Sequence, residues 1–224
     1  ASAQDGASSA LTAPSGPRQV DVIRAALASA GLAPSGAAAM QGHLTGTALG
    51  DGVDVGATVG ALASPSSSAA PGAGAGRGLP LAVLAAKTVV AHAEPASGLI
   101  GAAFAAAQML HRRALPVLHL RAVSSHVEPH LLSAARPVFV PRQAAPLPSM
   151  SASASASSSA SPVGASFFGV SAYAFQGSNA HVVLRHKGGP STNTPPALAS
   201  GPLLWATRAR CWVHPPPEPL LTRA

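Results

Sequence analysis

The chain has 224 residues and a formal net charge of +7, from 14 basic and 7 acidic side chains. Hydrophobic residues make up 47% of the chain, about half of them alanine, and only 4% of the chain is aromatic, so a core must come from short Leu, Val and Ile clusters. The single cysteine, Cys211, excludes an internal disulfide and a cysteine-based zinc site. No apolar run of membrane-spanning length occurs, and the scattered basic residues lack the aromatic neighbours typical of a nucleic-acid surface.

The N-terminal segment, residues 1–16, is small and polar, which predicts disorder. It has no positively charged start followed by an apolar run, so no secretory signal is visible. This favours a cytoplasmic over a secreted location.

The first half of the chain predicts a helix, a strand and a second helix. The first helix covers Arg18–Ala30 and stops at Gly31. Ala37–Gln41 predicts a short buried strand, and Asp51–Leu62 predicts the second helix. The apolar residues at helical spacing in the two helices are Val20, Ile23, Ala26, Leu27, Val55, Val59 and Leu62.

The second half predicts a strand over Leu81–Val90, because its apolar run is continuous. A helix should follow over Ala96–Arg113. Its predicted buried stripe consists of Leu99, Ile100, Ala103, Phe104, Ala107 and Leu110. The further extended segments predicted are Pro116–Leu120, Val138–Val140, Phe167–Ala172 and Ala180–Arg185.

Low-complexity segments interrupt these elements. Ser64–Gly78 and Ser149–Ser161 predict disordered insertions, and residues 188–224 form a Pro-rich tail or linker. The alternation of strands and helices over residues 17–187 predicts an α/β domain with a mixed sheet covered by helices.

Two histidines follow predicted strands. His43 ends the Ala37–Gln41 strand region, and His92 lies between the next predicted strand and helix. Two strand-end histidines suit a shared pocket at one sheet edge, where a neutral imidazole can donate a hydrogen bond to a developing oxyanion. From spacing alone, two unrelated polar loop residues are the favoured reading.

Three segments, in order, resemble motifs in the C-terminal half of a β-ketoacyl synthase, a thiolase-like condensing domain of modular polyketide and fatty-acid synthases. The first family motif is His-Gly-Thr-Gly-Thr, then Leu-Gly-Asp-Pro; the second is Lys, then Asn-Ile-Gly-His-Thr-Glu; the third is Ser-Phe-Gly-Phe-Gly-Gly-Thr-Asn-Ala-His. Here they read His43-Leu44-Thr45-Gly46-Thr47 with Leu49-Gly50-Asp51-Gly52, Lys87 with Val89-Val90-Ala91-His92-Ala93-Glu94, and Ala172-Tyr173-Ala174-Phe175-Gln176-Gly177-Ser178-Asn179-Ala180-His181.

The resemblance implies the C-terminal half of a thiolase-like layered fold and a part in a decarboxylative Claisen condensation. His43 and His92 would be the catalytic residues that bind the malonyl thioester carbonyl. The nucleophilic cysteine would belong to an N-terminal half that this chain lacks. The supporting residues would be Lys87 paired with Glu94, Thr45 and Thr47 in the first loop, Phe175 as a gate, and Asn179 and His181 as organisers of the loop and strand.

The resemblance also implies partners and a carrier. No cofactor is expected beyond the phosphopantetheine arm of an acyl carrier protein domain, which would bring the substrate. The N-terminal ketosynthase half would pack against this one, and the full synthase would be a dimer. Cys211 is not expected to replace the missing nucleophile, because it lies in the Pro-rich tail without a strand-to-helix elbow.

Departures from the motifs leave an alternative open. Leu44 and Ala91 stand where the family has glycine, and Gly52 stands where it has proline. Ala174 and Gln176 replace glycines around the predicted gate. These changes suit a non-catalytic ketosynthase remnant that serves as a scaffold or interaction module. A low-complexity basic protein that binds nucleic acid would explain the charge but none of the motifs.

Overall fold

A six-stranded mixed sheet forms the centre of the computed structural model, which describes residues 1–4, 14–64, 80–147, 166–174 and 177–185. Its strands run in the order β1-β8-β7-β2-β3-β5. β2 is parallel to β3 and β7, β3 is parallel to β5, and β8 is antiparallel to β7 and β1. The predicted mixed α/β architecture is confirmed.

The described residues form strands in two sheets. They are β1 Ser2–Gln4, β2 Ala37–Gln41, β3 Leu81–Leu84, β4 Arg113–Ala114, β5 Val138–Phe139, β6 Ala145–Pro146, β7 Phe167–Tyr173 and β8 Ser178–Arg185. β4 and β6 form a separate antiparallel pair. The helices are α1 Gly16–Ala30, α2 Ala48–Leu62, α3 Lys87–Val90, α4 Ser97–His111 and α5 Glu128–Leu132.

Helices cover both faces of the sheet. On one face, α1 and α2 pack against each other and bury Ile23, Leu27, Val55 and Val59 with Phe167 of the sheet. On the other face, α4 buries a separate cluster against β2, β7 and β8. No helix among the described residues is long and apolar enough to cross a membrane.

The first helix ends as its sequence predicts. Gly31 adopts a left-handed conformation (φ 62°), and its backbone N–H reaches the carbonyl oxygens of Leu27 and Ala28. β2 has the predicted bounds, and all five of its residues are buried.

The N-terminal segment differs from the prediction at its start. Ser2–Gln4 pairs with β8 as an edge strand, so this part of residues 1–16 is ordered, because β8 offers a free edge. Residues 5–13, 65–79, 148–165 and 186–224 lie outside the described residues. These ranges contain the predicted insertions, apart from Ser64, and the predicted tail.

The prediction of one strand over Leu81–Val90 was wrong beyond Leu84. The chain turns into α3 at Lys87, and Val89 and Val90 are 47% and 42% exposed. Backbone N–H groups of Thr88 and Val89 bond back to Ala85 and Ala86. An apolar run cannot by itself separate a strand from a short helical turn.

Two further predictions were wrong. The segment Pro116–Leu120 is not extended throughout, because Leu118 and His119 form a turn and His119 has φ 62°. In α4 the buried side is Gly101, Ala105, Gln108 and Met109, whereas Leu99 and Leu110 are 76% and 65% exposed. Small residues let α4 approach the sheet closely: a Cβ added at Gly101 would lie 3.3 Å from Val170. Leu99 and Leu110 are therefore turned away from the sheet, whereas Met109 is buried against it.

Candidate active site

The carboxyl ends of three parallel strands meet at one edge of the sheet. His43 follows β2, Lys87 follows β3 in the first turn of α3, and Tyr173 ends β7. β2 lies between β3 and β7 and is parallel to both, so these three residues are brought together from distant parts of the chain.

His92 joins this group from the loop between α3 and α4. The ring centroids of His43 and His92 are 5.2 Å apart, and the ring planes make an angle of 87°. His43 is partly buried, whereas His92 is exposed. The two histidines predicted as one site therefore lie side by side, with access from solvent at His92.

The hydrogen-bond partners of His43 determine which ring nitrogen carries the proton. The backbone N–H of Tyr173 donates to Nδ1 at 3.3 Å, and Nζ of Lys87 lies 3.3 Å from the same nitrogen. A backbone N–H can only donate, so Nδ1 must accept. In the neutral ring the proton is then assigned to Nε2, which becomes a hydrogen-bond donor.

The same assignment holds for His92. The backbone N–H of Glu94 donates to Nδ1 of His92 at 3.2 Å. Nδ1 is therefore an acceptor and Nε2 carries the proton. Two adjacent imidazoles thus each retain an Nε2–H group that can donate to an external oxygen atom.

His43 is neutral at physiological pH. Burial is the main cause that lowers its pKa, and the charges of Lys87 and His92 lower it further, to about 4. A neutral ring fits the bonding at Nδ1, because a protonated Nδ1 would point a hydrogen at two other donors.

Two carboxylates of α2 support the loop that carries His43. Asp54 is 2% exposed, and its Oδ2 accepts the backbone N–H of Leu44 at 3.1 Å. Burial raises the pKa of Asp54 to about 6, although the backbone donors of Leu44 and His43 lower it. Asp51, also raised in pKa by burial, accepts the N–H of Gly46 at 3.1 Å. The loop is therefore tied to the start of α2.

Lys87 is a partly buried cation beside these groups. Its Nζ donates to the carbonyl oxygen of His43 in addition to its contact with Nδ1. Burial lowers the pKa of Lys87, and the negative charges of Asp54 and Asp51 oppose this shift. Lys87 therefore connects α3 directly to the His43 loop.

The predicted ion pair of Lys87 with Glu94 is not formed. Within the described part of the chain, the pair of opposite charges within 4 Å is Arg18 with Asp21. The turn of α3 directs Lys87 toward His43, and the exposed Glu94 contacts His92 through its backbone N–H.

The other predicted supporting residues have separate positions. Oγ1 of Thr45 and Oγ1 of Thr47 lie 3.3 Å apart on the exposed side of the His43 loop. Asn179, in β8, is buried and donates from Nδ2 to the carbonyl oxygen of Gly177, just before the strand, at 3.0 Å. Phe175 lies outside the described residues.

Two departures from the family glycines occur where the backbone is strained. Leu44 has φ 32°, and Ala91 has φ 60° and ψ −170°, a conformation that is almost restricted to glycine. The side chain of Leu44 packs against the core beneath the loop and lines an apolar cavity of about 240 Å³. Burial of this side chain offsets part of the strain at Leu44, whereas exposed Ala91 has no such compensation.

Sequence reasoning missed Tyr173 and Asp54 as parts of this site. Tyr173 ends a strand parallel to β2, but its register with His43 depends on pairing over a long sequence separation. Asp54 had a signal in the sequence, because it is a carboxylate next to Val55 on the predicted apolar face of a helix.

Comparisons with known proteins identify the family. The model of the β-ketoacyl synthase C-terminal domain matches residues 1–121 of the chain. The chain belongs to the β-ketoacyl synthase family. It is similar to the spectinabilin polyketide synthase system protein NorA' of Streptomyces orinoci (32% identity over 92% of this chain) and to polyketide synthase GfsA of Streptomyces halstedii (34% over 92%).

A solved ketosynthase has the same fold. The oxazolomycin ketosynthase domain OzmH KS7 of Streptomyces albus JA3453 matches 86% of this chain with a TM-score of 0.68 and 28% identity. The predicted resemblance to the C-terminal part of a thiolase-like ketosynthase of a modular polyketide synthase is thus confirmed. The chain spans 30% of that ketosynthase structure, and 5% and 2% of the two synthases.

Proposed function

We propose that this ketosynthase chain supplies the two-histidine half of a decarboxylative Claisen condensation site in polyketide or fatty-acid chain elongation. The observation that carries the proposal is the adjacent pair of Nε2–H donors on His43 and His92. Paired donors fixed in advance are suited to an oxygen atom on which negative charge develops.

In the proposed reaction, a malonyl thioester arrives on the phosphopantetheine arm of an acyl carrier protein domain, with no further cofactor. Its thioester carbonyl accepts hydrogen bonds from Nε2 of His43 and of His92. Cleavage of the bond to the carboxylate releases carbon dioxide, and the electron pair forms an enolate whose oxygen both donors stabilise. The enolate carbon then attacks an acyl thioester on cysteine, and the cysteine sulfur leaves as a thiolate.

The neutral state of His43 supports this role. Its low pKa keeps Nδ1 free to accept from Tyr173 and Lys87, and this bonding keeps the proton on Nε2. Lys87 also places a positive charge next to the ring, which favours an enolate oxygen nearby.

The cysteine is proposed to come from an N-terminal ketosynthase half. The outer face of α4, which includes exposed Leu99 and Leu110, offers an apolar surface for that half. The acyl carrier protein domain and a second copy of the complete domain are the other proposed partners.

A non-catalytic remnant is the second candidate. The strained backbone at Ala91 and Leu44 favours it, because both residues flank the proposed donors. In this reading the fold persists as a scaffold while the His92 loop no longer holds a productive geometry.

Reconstitution with a cysteine-bearing N-terminal half tests the proposal. The chain would be produced together with that half, and carbon dioxide release and carbon–carbon bond formation would be measured with malonyl and acyl carrier thioesters. His43→Ala and His92→Ala should each lower the rate on the order of 10²–10³-fold, the usual loss for one oxyanion donor.

His111→Ala is the matched control, because His111 is an exposed histidine at the end of α4. It should leave the rate unchanged. A properly folded complex without turnover would favour the remnant, and turnover that survives both active-site variants would contradict the proposed roles of the histidines.

A further inference from the structure

A buried chain of hydrogen bonds lies behind His43, at the junction of β7 and β8. Oη of Tyr173 donates to Oγ of Ser171 at 2.9 Å, and this Oγ lies 3.0 Å from Nδ1 of His181. Ser171 and His181 are directly opposite each other in the antiparallel pair. They are 3% and 0% exposed, so water does not compete for these bonds.

His181 is held in one place by close packing. A Cβ added at Gly169 would lie 2.8 Å from Cε1 of His181 and 2.7 Å from Sδ of Met40. Only glycine at position 169 leaves room for the imidazole in this arrangement. The buried end of the hydrogen-bonded chain is thus fixed by the sheet itself.

At the other end of this series of hydrogen bonds, Tyr173 makes two contacts with His43. The backbone N–H of Tyr173 donates to Nδ1 of His43, and the two rings lie 5.7 Å apart at 57°. The phenol hydroxyl is an addition relative to the family motif, in which phenylalanine stands at this position. Burial raises the pKa of Tyr173 well above its usual value, so the hydroxyl retains its proton.

We propose that Tyr173 and Ser171 are positioning residues for His43, anchored on His181. The bonds through Ser171 hold the tyrosine ring and the end of β7. The Tyr173 N–H therefore stays directed at Nδ1 of His43 and keeps the proton of His43 on Nε2. What His43 then does with this proton rests on the proposed function, but the tautomer itself does not.

The test is histidine ring 15N NMR on the full chain, which reports the tautomer without any activity. Long-range 1H–15N spectra of histidine-labelled protein should show His43 with the proton on Nε2 only. In Tyr173→Phe and Ser171→Ala, the His43 Nδ1 resonance should move toward the protonated position as a second tautomer becomes populated. Ser133→Ala is the matched control, since it removes a hydroxyl that bonds to His130 on the exposed α5 side.

Thermal unfolding of the same variants separates positioning from stability. A lower midpoint with an unchanged His43 spectrum would overturn the proposal, because a merely structural role predicts that result. A His43 ring protonated on Nδ1 in the unaltered chain would also overturn it. If Ser171→Ala fails to fold, Tyr173→Phe decides alone, since it removes one oxygen atom from a position where the family has phenylalanine. Failure of the reconstituted complex to condense thioesters, with the His43 proton on Nε2 in the unaltered chain, would count against the proposed function only.

Discussion

The imidazole rings of His43 and His92 meet nearly at right angles, with centroids 5.2 Å apart. One small acyl group can therefore contact both rings at once. In each ring, Nδ1 accepts a hydrogen bond from a backbone N–H. The donor is Tyr173 for His43 and Glu94 for His92. Backbone atoms from the end of β7 and from the segment between α3 and α4 thus determine the proton arrangement of the pair.

Removing the charge of Lys87 should raise the pKa of His43. The pKa is about 4, with Lys87 as the second cause of the lowering after burial. In Lys87→Met the pKa should rise but stay below 6.5, because burial remains. NMR titration of the His43 ring measures it, with Arg112→Met, an exposed cation at the end of α4, as control. An unchanged or lower pKa would show that Lys87 does not act on His43 electrostatically.

Replacing Ala91 with glycine should stabilise the chain. At φ 60° and ψ −170°, alanine carries backbone strain that glycine does not, so Ala91→Gly should raise the free energy of unfolding by about 1 kcal/mol. Ala103→Gly on the exposed face of α4 is the control and should lower it by about 1 kcal/mol. Urea unfolding measures both, and a loss of stability in Ala91→Gly would refute the assigned strain.

Stability should fall as the pH decreases from about 6.5 to 4. His43 and His181 have pKa values lowered to about 4, so the unfolded chain binds more protons in this range. The pKa of Asp54 is raised to about 6, so this group opposes the trend, but it is one group against two. His181→Gln should flatten the fall of the thermal midpoint, because it removes one of the two groups whose pKa is lowered. A midpoint that is constant or rises toward pH 4 would contradict the balance of these groups.

The isolated chain should self-associate through α4. Leu99→Ser with Leu110→Ser should reduce association in light scattering, because both side chains are exposed on one apolar helix. Leu132→Ser is the control: Leu132 is 80% exposed but belongs to α5. Equal effects of the two replacements would show that association does not depend on the α4 surface.

The 224-residue chain alone should not form carbon–carbon bonds. Its one cysteine, Cys211, lies in the Pro-rich C-terminal segment, outside the described residues. Turnover would be measured with the purified chain and carrier-bound thioesters. Activity that disappears in Cys211→Ala would show that this thiol is a nucleophile, and activity that persists would show that none is needed.

The sequence was sufficient for elements whose local signals agree. Ala37–Gln41 is a short apolar run bounded by turn residues, and it forms β2 with the predicted bounds. The motifs placed His43 and His92 in one family pattern, and the parallel strands bring them together. The proximity of histidines that follow parallel strands can be predicted from the sequence, because the carboxyl ends of these strands lie at one edge of the sheet.

The remaining features depend on tertiary contacts. α4 carries apolar residues almost all round, so periodicity selected Leu99 and Leu110 as buried when the sheet instead accepts the smaller Gly101 and Ala105. The turn at Lys87 depends on backbone hydrogen bonds, which the amino-acid composition of the segment does not predict. Tyr173 could not be assigned to His43 without the pairing of β7 with β2.

The two donors to Nδ1 of His43 lie 44 and 130 positions further along the chain. These contacts join distant parts of the chain, so the site can form only when β3 and β7 have aligned with β2. The free energy of closing such loops grows only with the logarithm of their length, and each doubling costs about 0.6 kcal/mol. The connections between these strands can therefore change greatly in length while His43 keeps both donors.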